Sequence, residues 1–215
     1  MENLQDRVIR QFDTLVPFLA VSHEEVFDII RQNEAVWFPS GESASLPETY
    51  RMYQFQVSHA AFLLGYSYFE AFLADLAKQV LRARPQLLPK EKGLKFKDVL
   101  DCGSYDQVLS FMIEKEVFTL LYNSMDKIIS YFDERLNLSF GDTLDKENII
   151  KASLLRNCLI HNMALADKRL APVSRWGEGS FIDLESYEVH ELGIIGRRIS
   201  RNLYEQAQAK HLNKS

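Results

Sequence analysis

Cysteine is scarce in this chain. The two present, Cys102 and Cys158, are far apart and in no Cys-x-x-Cys spacing. That argues against a disulfide framework or a zinc knuckle and makes a reducing cytoplasm the expected home. Excess positive charge is missing too: 25 Lys and Arg stand against 30 Asp and Glu, a formal charge of −5. A uniformly basic coat for nucleic acid is excluded, and local basic patches are not. The opening residues, Met1-Glu2-Asn3-Leu4-Gln5-Asp6, lack the basic and apolar regions of a signal peptide, so export is not expected. The most apolar stretch, Ala60 to Ala77, is interrupted by Glu70 and Asp75, charges costly in hydrocarbon. It reads as a core helix, with no membrane as partner. Repeats and low-complexity tracts are absent.

Proline and glycine are few and clustered, around Pro39 to Pro47, Pro85 to Gly93 and Pro172 to Gly179, with no proline between Pro89 and Pro172. Between clusters, apolar residues recur at helical spacing. At 215 residues and 47% apolar composition the chain suits one domain of ordinary size. The expected fold is all-α: a single up-down helical bundle over residues 50–215, with residues 1–49 a helical extension packed on it.

Particular helices follow from local signals. Ser22-His23-Glu24-Glu25 has the capping-box form and predicts a helix from about Glu24 to Asn33. From about Tyr50 to Ala83, Val57, Ala61, Leu64, Tyr68, Phe72, Leu76 and Val80 make one apolar stripe, ended by Pro85. A box from Ser104 to Gln107 opens a helix through about Tyr122; helix resumes beyond a break near Asn123-Ser124 as far as Leu136, and Gly141 stops it. Asp142 or Thr143 caps a helix carrying Ile150, Leu154, Leu155, Leu159 and Met163, and Val189, Leu192, Ile195, Ile199 and Leu203 stripe the last. Trp176 to Tyr187 reads as loop, with a short extended piece at Phe181-Ile182.

Chemistry concentrates in Leu155-Arg156-Asn157-Cys158-Leu159-Ile160-His161-Asn162, read as lying inside the penultimate helix. Arg156, Asn157 and His161 are strongly polar in an apolar run. Asn157 and His161 share a helix face; Arg156 and His161 stand about 140° apart around the axis, an angle the arginine stem covers. The trio can converge on one anion, Asn157 holding the imidazole by a hydrogen bond and Arg156 offering its guanidinium fork to a phosphate. A neighbouring cation disfavours protonated imidazole, leaving a base for a hydroxyl proton, while the guanidinium stabilises charge on pentavalent phosphorus. That suits cleavage of RNA by its own 2′-hydroxyl. The bland alternative is Arg156 in an ion pair and His161 as a buried, hydrogen-bonded core residue.

Arg156 to His161, followed by Asn162 and Asp167, resembles the Arg-polar-x3-His motif of the HEPN superfamily, with Asn157 as the polar residue. Gly65-Tyr66-Ser67-Tyr68-Phe69-Glu70-Ala71-Phe72-Leu73 resembles the aromatic-Glu-x-x-Leu pattern on the long helix of prokaryotic HEPN proteins. The two together cover about Tyr50 to Tyr204. The resemblance implies a compact helical bundle and a metal-independent endoribonuclease, many of the family serving as toxins with antitoxin partners, in phage defence or in RNA processing. It also implies a homodimer whose paired motifs line one cleft, with His161 as acid or base, Arg156 as phosphate ligand and Asn157 as positioning residue. Some family members are non-catalytic modules for dimerisation or for binding protein, nucleotide or RNA, and that alternative stays open. Glu70 is a supporting residue, at the rim of the core or paired with Arg156.

Basic residues cluster twice. Lys78, Arg82, Arg84, Lys90, Lys92, Lys95 and Lys97 face only Glu91, a run able to steer RNA or simply a solvated connector. Lys151, Lys168, Arg169 and Arg175 flank the motif and are expected to guide an RNA backbone. His23, His59, His190 and His211 have no metal-ligand spacing, so neither metal nor cofactor is expected. Trp37 and Phe38, between prolines, read as aromatics packed on the bundle rather than a lid, and Cys158 as a plain buried thiol.

Overall fold

The structure is a computed structural model that describes residues 3–13, 46–89, 99 and 101–213. The helix expected over 24–33, the Trp37-Phe38 loop and the basic residues from Lys90 to Lys97 lie outside the described residues. Among the described residues the fold is all-α, 76% helical with no strand. Six α-helices are described: α1 over residues 4–13, α2 Leu46–Ala83, α3 Tyr105–Leu121, α4 Met125–Ser130, α5 Thr143–His161 and α6 Ser186–Ala207. α4 widens into a π-helical turn, Tyr131–Arg135, and α6 into another, Gln208–Leu212. The extended piece expected near Phe181 is an isolated antiparallel bridge between Leu165 and Phe181.

Local signals explain most helix ends. α2 stops at Ala83, ahead of Pro85, which starts a short 3-10 turn where its fixed φ is tolerated. Ser104 caps α3 by accepting from the Gln107 amide at 3.3 Å, and the Gln107 side chain accepts in return from the Gly103 amide at 2.6 Å. Ser124 begins α4 at the expected break. Gly141, at φ +114°, turns the chain where a side chain would be strained and would meet the Asp145 carboxylate. Asp142, not Thr143, then caps α5, its carboxylate accepting from the Asp145 amide at 2.9 Å.

The chain forms two compact units: residues 1–8, 69–150 and 198–215 in the first, 9–68 and 151–197 in the second. In the first, Phe69, Phe72, Leu76 and Val80 of α2 are buried, as are Val117 and Leu120 of α3 and Phe132, Phe140 and Leu203. Phe140 takes Phe69 and Phe132 edge-on, at 6.3 and 5.5 Å between ring centres. Asp145 is buried and pairs with Arg198, Lys146 pairs with Asp133 at 2.7 Å, and Arg7 with Asp75 at 2.5 Å. In the second unit the core is Phe12, Val57, Ala61, Phe62, Tyr66, Leu155, Cys158, Leu170, Trp176, Ile182, Val189 and Leu192. Each such large side chain contributes about 1.5–3 kcal/mol by leaving water.

The apolar stripe along α2 needs one correction. Leu64, on the expected stripe, is 41% exposed, while Phe62, Tyr66, Phe69 and Leu73 beside it are fully buried. A helix packed on more than one side buries more than one stripe, so a single face did not describe it. By length and composition α2 also holds a stretch, Tyr53–Ala83, capable of crossing a membrane; half of its most apolar window is buried inside the protein.

Candidate functional site

The motif residues all belong to the second unit, on the last three turns of α5. Ile149, Ala152, Leu155 and Cys158 are its buried apolar positions, at steps of three. This register leaves Arg156 and Asn157 half-buried and brings His161 to the surface. The reading of His161 as a buried core histidine is thereby set aside. Among the described residues His161 has no side-chain hydrogen bond or ion pair.

α5 ends at His161, two residues short of the expected Met163. Neither glycine nor proline stops it. Met163 and Ala164 adopt left-handed backbone, φ +50° and +59°, and reverse the chain. Such conformations are unusual for side-chain-bearing residues, and here hydrogen bonds hold them. The Cys158 carbonyl accepts from both the Asn162 and the Ala164 amides, each at 3.1 Å. Asn162 is tied to Leu165 twice, its side chain donating to the Leu165 carbonyl at 2.7 Å and its carbonyl accepting from the Leu165 amide at 2.9 Å. The motif thus runs up to the end of a helix rather than through its interior, and His161 stands at the lip.

Asn157 does not take the role expected of it. Its side-chain oxygen accepts from the Arg156 guanidinium at 3.1 Å, which anchors the arginine rather than the imidazole. Arg156 and His161 are five residues apart on one helix, about 7.5 Å along the axis, a separation of the size a phosphodiester and its flanking oxygens can bridge. Lys151 lies five residues before Arg156, half-buried. Glu70 is half-buried on α2 and belongs to the first unit.

Beyond His161, Lys168 and Arg169 sit in an exposed turn built by Asp167. The Asp167 carboxylate accepts from the Arg169 and Leu170 amides, both at 2.9 Å, and pairs with the Arg169 guanidinium at 2.8 Å. Burial pushes that carboxyl up, but the Leu170 amide and the Arg169 side chain and amide outweigh it and hold it below the usual carboxylate range. Arg169 therefore arrives with its charge already answered; Lys168 has no such partner among the described residues. Cys158 is a buried free thiol, pushed up chiefly by burial, with the Asp167 carboxylate adding to the effect, as a structural cysteine should be.

Arg175 leaves the positive group flanking the motif. Its guanidinium donates to Glu188 at 2.9 Å, to the Asp183 carboxylate at 3.0 Å and to the Asp183 carbonyl at 2.7 Å, and lies over the Trp176 ring at 4.5 Å. The Trp176 indole donates to the same Asp183 carboxylate at 2.7 Å. Glu188, buried, also accepts from the Glu185 amide at 2.7 Å and so caps α6. This arginine holds a loop to a helix start. Of the other basic run, Lys78 pairs with Glu114 at 2.7 Å and Arg82 donates to Ser110 at 3.2 Å. The sequence shows these cations without their partners, Glu114 and Ser110, which come from another helix.

Two features carried no functional signal in the sequence. An open cleft of about 630 Å³ in the first unit is lined by Gln86, Leu87, Lys127, Ser130, Tyr131, Glu134 and Arg135. It forms on the π-helical turn, with Arg135 donating to the Leu87 carbonyl at 3.2 Å, and burial, then the Glu116 carboxylate, push the Tyr131 phenol well above its ordinary range. Its polar residues have no motif spacing to mark them. The second is His59, buried in the second unit and bonded to the Ile182 carbonyl at 2.8 Å. Among the described residues no three His, Cys, Asp or Glu side chains group as a metal ion would need. No protein-family model, curated protein or solved structure matches the chain.

Proposed function

We propose that the chain is a metal-independent endoribonuclease of HEPN type, acting as a homodimer. The observation that carries this reading is an exposed His161 at the end of α5, without a side-chain partner among the described residues, with Arg156 anchored by Asn157 about one and a half turns before it. In the reaction the imidazole takes the proton of a ribose 2′-hydroxyl, and the 2′-oxygen attacks the adjacent phosphorus. The bond from phosphorus to the 5′-oxygen breaks, and that oxygen leaves with a proton from imidazolium. The guanidinium meets the charge that gathers on the phosphoryl oxygens. One histidine supplies a base, and a second copy across a twofold axis supplies the acid. Lys151 and Lys168 guide the backbone, with Arg169 in a lesser share. A role as a toxin or phage-defence effector held by an antitoxin belongs to the same proposal.

A second reading, a non-catalytic dimerisation or binding module, is favoured by one observation: Ile160 and Met163, on either side of His161, are 47% and 84% exposed, which suits a protein contact. One experiment separates the two. Purified protein is incubated with end-labelled transfer or total RNA in EDTA, alongside His161→Ala and Arg156→Ala. Loss of cleavage in folded, still dimeric variants, with 2′,3′-cyclic phosphate ends in the wild type, supports the nuclease. A folded wild type that cuts neither RNA, with variants that weaken assembly, supports the module.

A further inference from the structure

The end of α5 is held in place from a part of the chain a hundred residues earlier. His59, on α2, places its Nε2 at 2.8 Å from the Ile182 carbonyl. A carbonyl only accepts, so the proton is on Nε2 and His59 donates. The Ile182 amide donates to the Ala164 carbonyl at 2.8 Å, and the Ala164 amide donates to the Cys158 carbonyl at 3.1 Å. Cys158 is on the last turn of α5, three residues before His161. Two further bonds brace this strap, Ala166 amide to Ser180 carbonyl at 2.9 Å and Gly179 amide to Ala166 carbonyl at 2.8 Å. Packing fixes the ring that starts the chain of bonds. His59 is 7% exposed, its ring 5.9 Å from that of Phe181, which in turn takes Phe55 edge-on at 5.9 Å.

We propose that His59 is a positioning residue for His161: through Ile182, Ala164 and Cys158 it sets where α5 ends, and so where the imidazole at its lip points. The left-handed pair Met163 and Ala164 makes this necessary. Those residues do not hold their backbone by preference, so the reversal that releases His161 from the helix depends on the strap, and the strap is tied down at His59. Burial adds to the effect by disfavouring the charged ring, and Nε2 is its one hydrogen-bonded nitrogen among the described residues. The catalytic part of this inference rests on the ribonuclease reading; the structural relay does not.

The test uses nuclear magnetic resonance and RNA cleavage on the wild type, His59→Phe and His59→Gln. In the wild type, the His59 nitrogen signals should report the Nε2–H tautomer; an Nδ1–H tautomer overturns the proposal without any variant. Phenylalanine keeps a ring among Phe55 and Phe181 but cannot donate. It should speed amide exchange at Ile182 and Ala164 at least tenfold and shift the His161 ring signals, with kcat down about tenfold and KM within twofold of the wild type. Glutamine, whose amide reaches the same carbonyl, should restore the signals and most of kcat. His161 signals and Ala164 protection unmoved in a folded His59→Phe overturn the relay, even if cleavage falls. Signals that move in a protein whose wild type cuts no RNA support the relay and overturn the ribonuclease reading instead.

Discussion

Two glycines one turn apart on α6 should respond to alanine with opposite signs. Glycine in a helix interior is less favourable than alanine by about 0.8–1.0 kcal/mol, so propensity alone predicts that both changes stabilise. At Gly193 an added Cβ meets nothing within 4 Å among the described residues, and Gly193→Ala should gain close to the full amount, about 1 kcal/mol. At Gly196 the same atom would overlap the Phe12 ring, falling on Cζ and only 3.0 Å from Cε1 and Cε2. Phe12 is 2% exposed, so its ring has nowhere to swing. Inserting a methyl into a filled core costs about 1–3 kcal/mol, and a head-on overlap belongs at the upper end. After the propensity gain, Gly196→Ala should lose about 1–2 kcal/mol. The two variants should thus lie about 2–3 kcal/mol apart. At about 2–4 °C per kcal/mol for a chain of this size, thermal melting followed by circular dichroism separates them readily, and urea midpoints give the free energies. Phe12→Leu in the Gly196→Ala background should recover part of the loss. A Gly196→Ala protein as stable as Gly193→Ala would refute the packing of α1 against α6 at this point.

Other expectations follow from single interactions. Asp142→Ala should cost about 1 kcal/mol in urea titration and Thr143→Ala much less, because Asp142 caps α5; equal losses would contradict that cap. Asp183→Ala leaves the Trp176 indole and part of the Arg175 guanidinium without acceptors and should cost about 1–3 kcal/mol, whereas Asp183→Asn, which keeps an oxygen for the indole, should cost less. Burial holds the His59 ring below its ordinary value of 6.5, more than the bond to Ile182 raises it. Between its folded and unfolded values the unfolded chain binds the extra proton, so this group's stabilisation is complete above pH 6.5 and is lost as pH falls toward the folded value. Urea midpoints at pH 7.5 and 5.5 should show a steeper acid loss in the wild type than in His59→Gln, and equal losses would exclude His59 as the cause. If RNA runs past α5, Lys168→Ser should lower the slope of log affinity against log salt by about 0.7, and Arg169→Ser by less, since Asp167 already answers that charge. An unchanged slope in the double variant would remove both from the RNA path.

Much of the fold was legible because helices obey rules that reach only one turn. Ser104 with Gln107 and Asp142 with Asp145 mark helix starts through partners three residues away, and the break at Asn123-Ser124 and the stop before Pro85 fall where the sequence puts them. The helix expected to run as far as Leu136 and to be stopped by Gly141 instead ends at Arg135, ahead of a left-handed Asn137. The candidate site was legible in part. Arg156, Asn157 and His161 stand out as polar residues in an apolar run, and helix geometry places them. That His161 is exposed depends on where α5 ends, and no proline or glycine marks that point.

The sequence by itself determined an all-α chain, the start of α5 and the spacing of three polar groups upon it, since each depends on neighbours along the backbone. Tertiary structure decided the rest. It ended α5 at His161 through a strap anchored by His59, exposed Leu64 on an apolar stripe, and absorbed Arg175 into Asp183 and Glu188. A charge is free or paired, and a helix ends or continues, according to what the fold brings alongside from beyond the reach of one helical turn; such partners follow no period that local sequence can display.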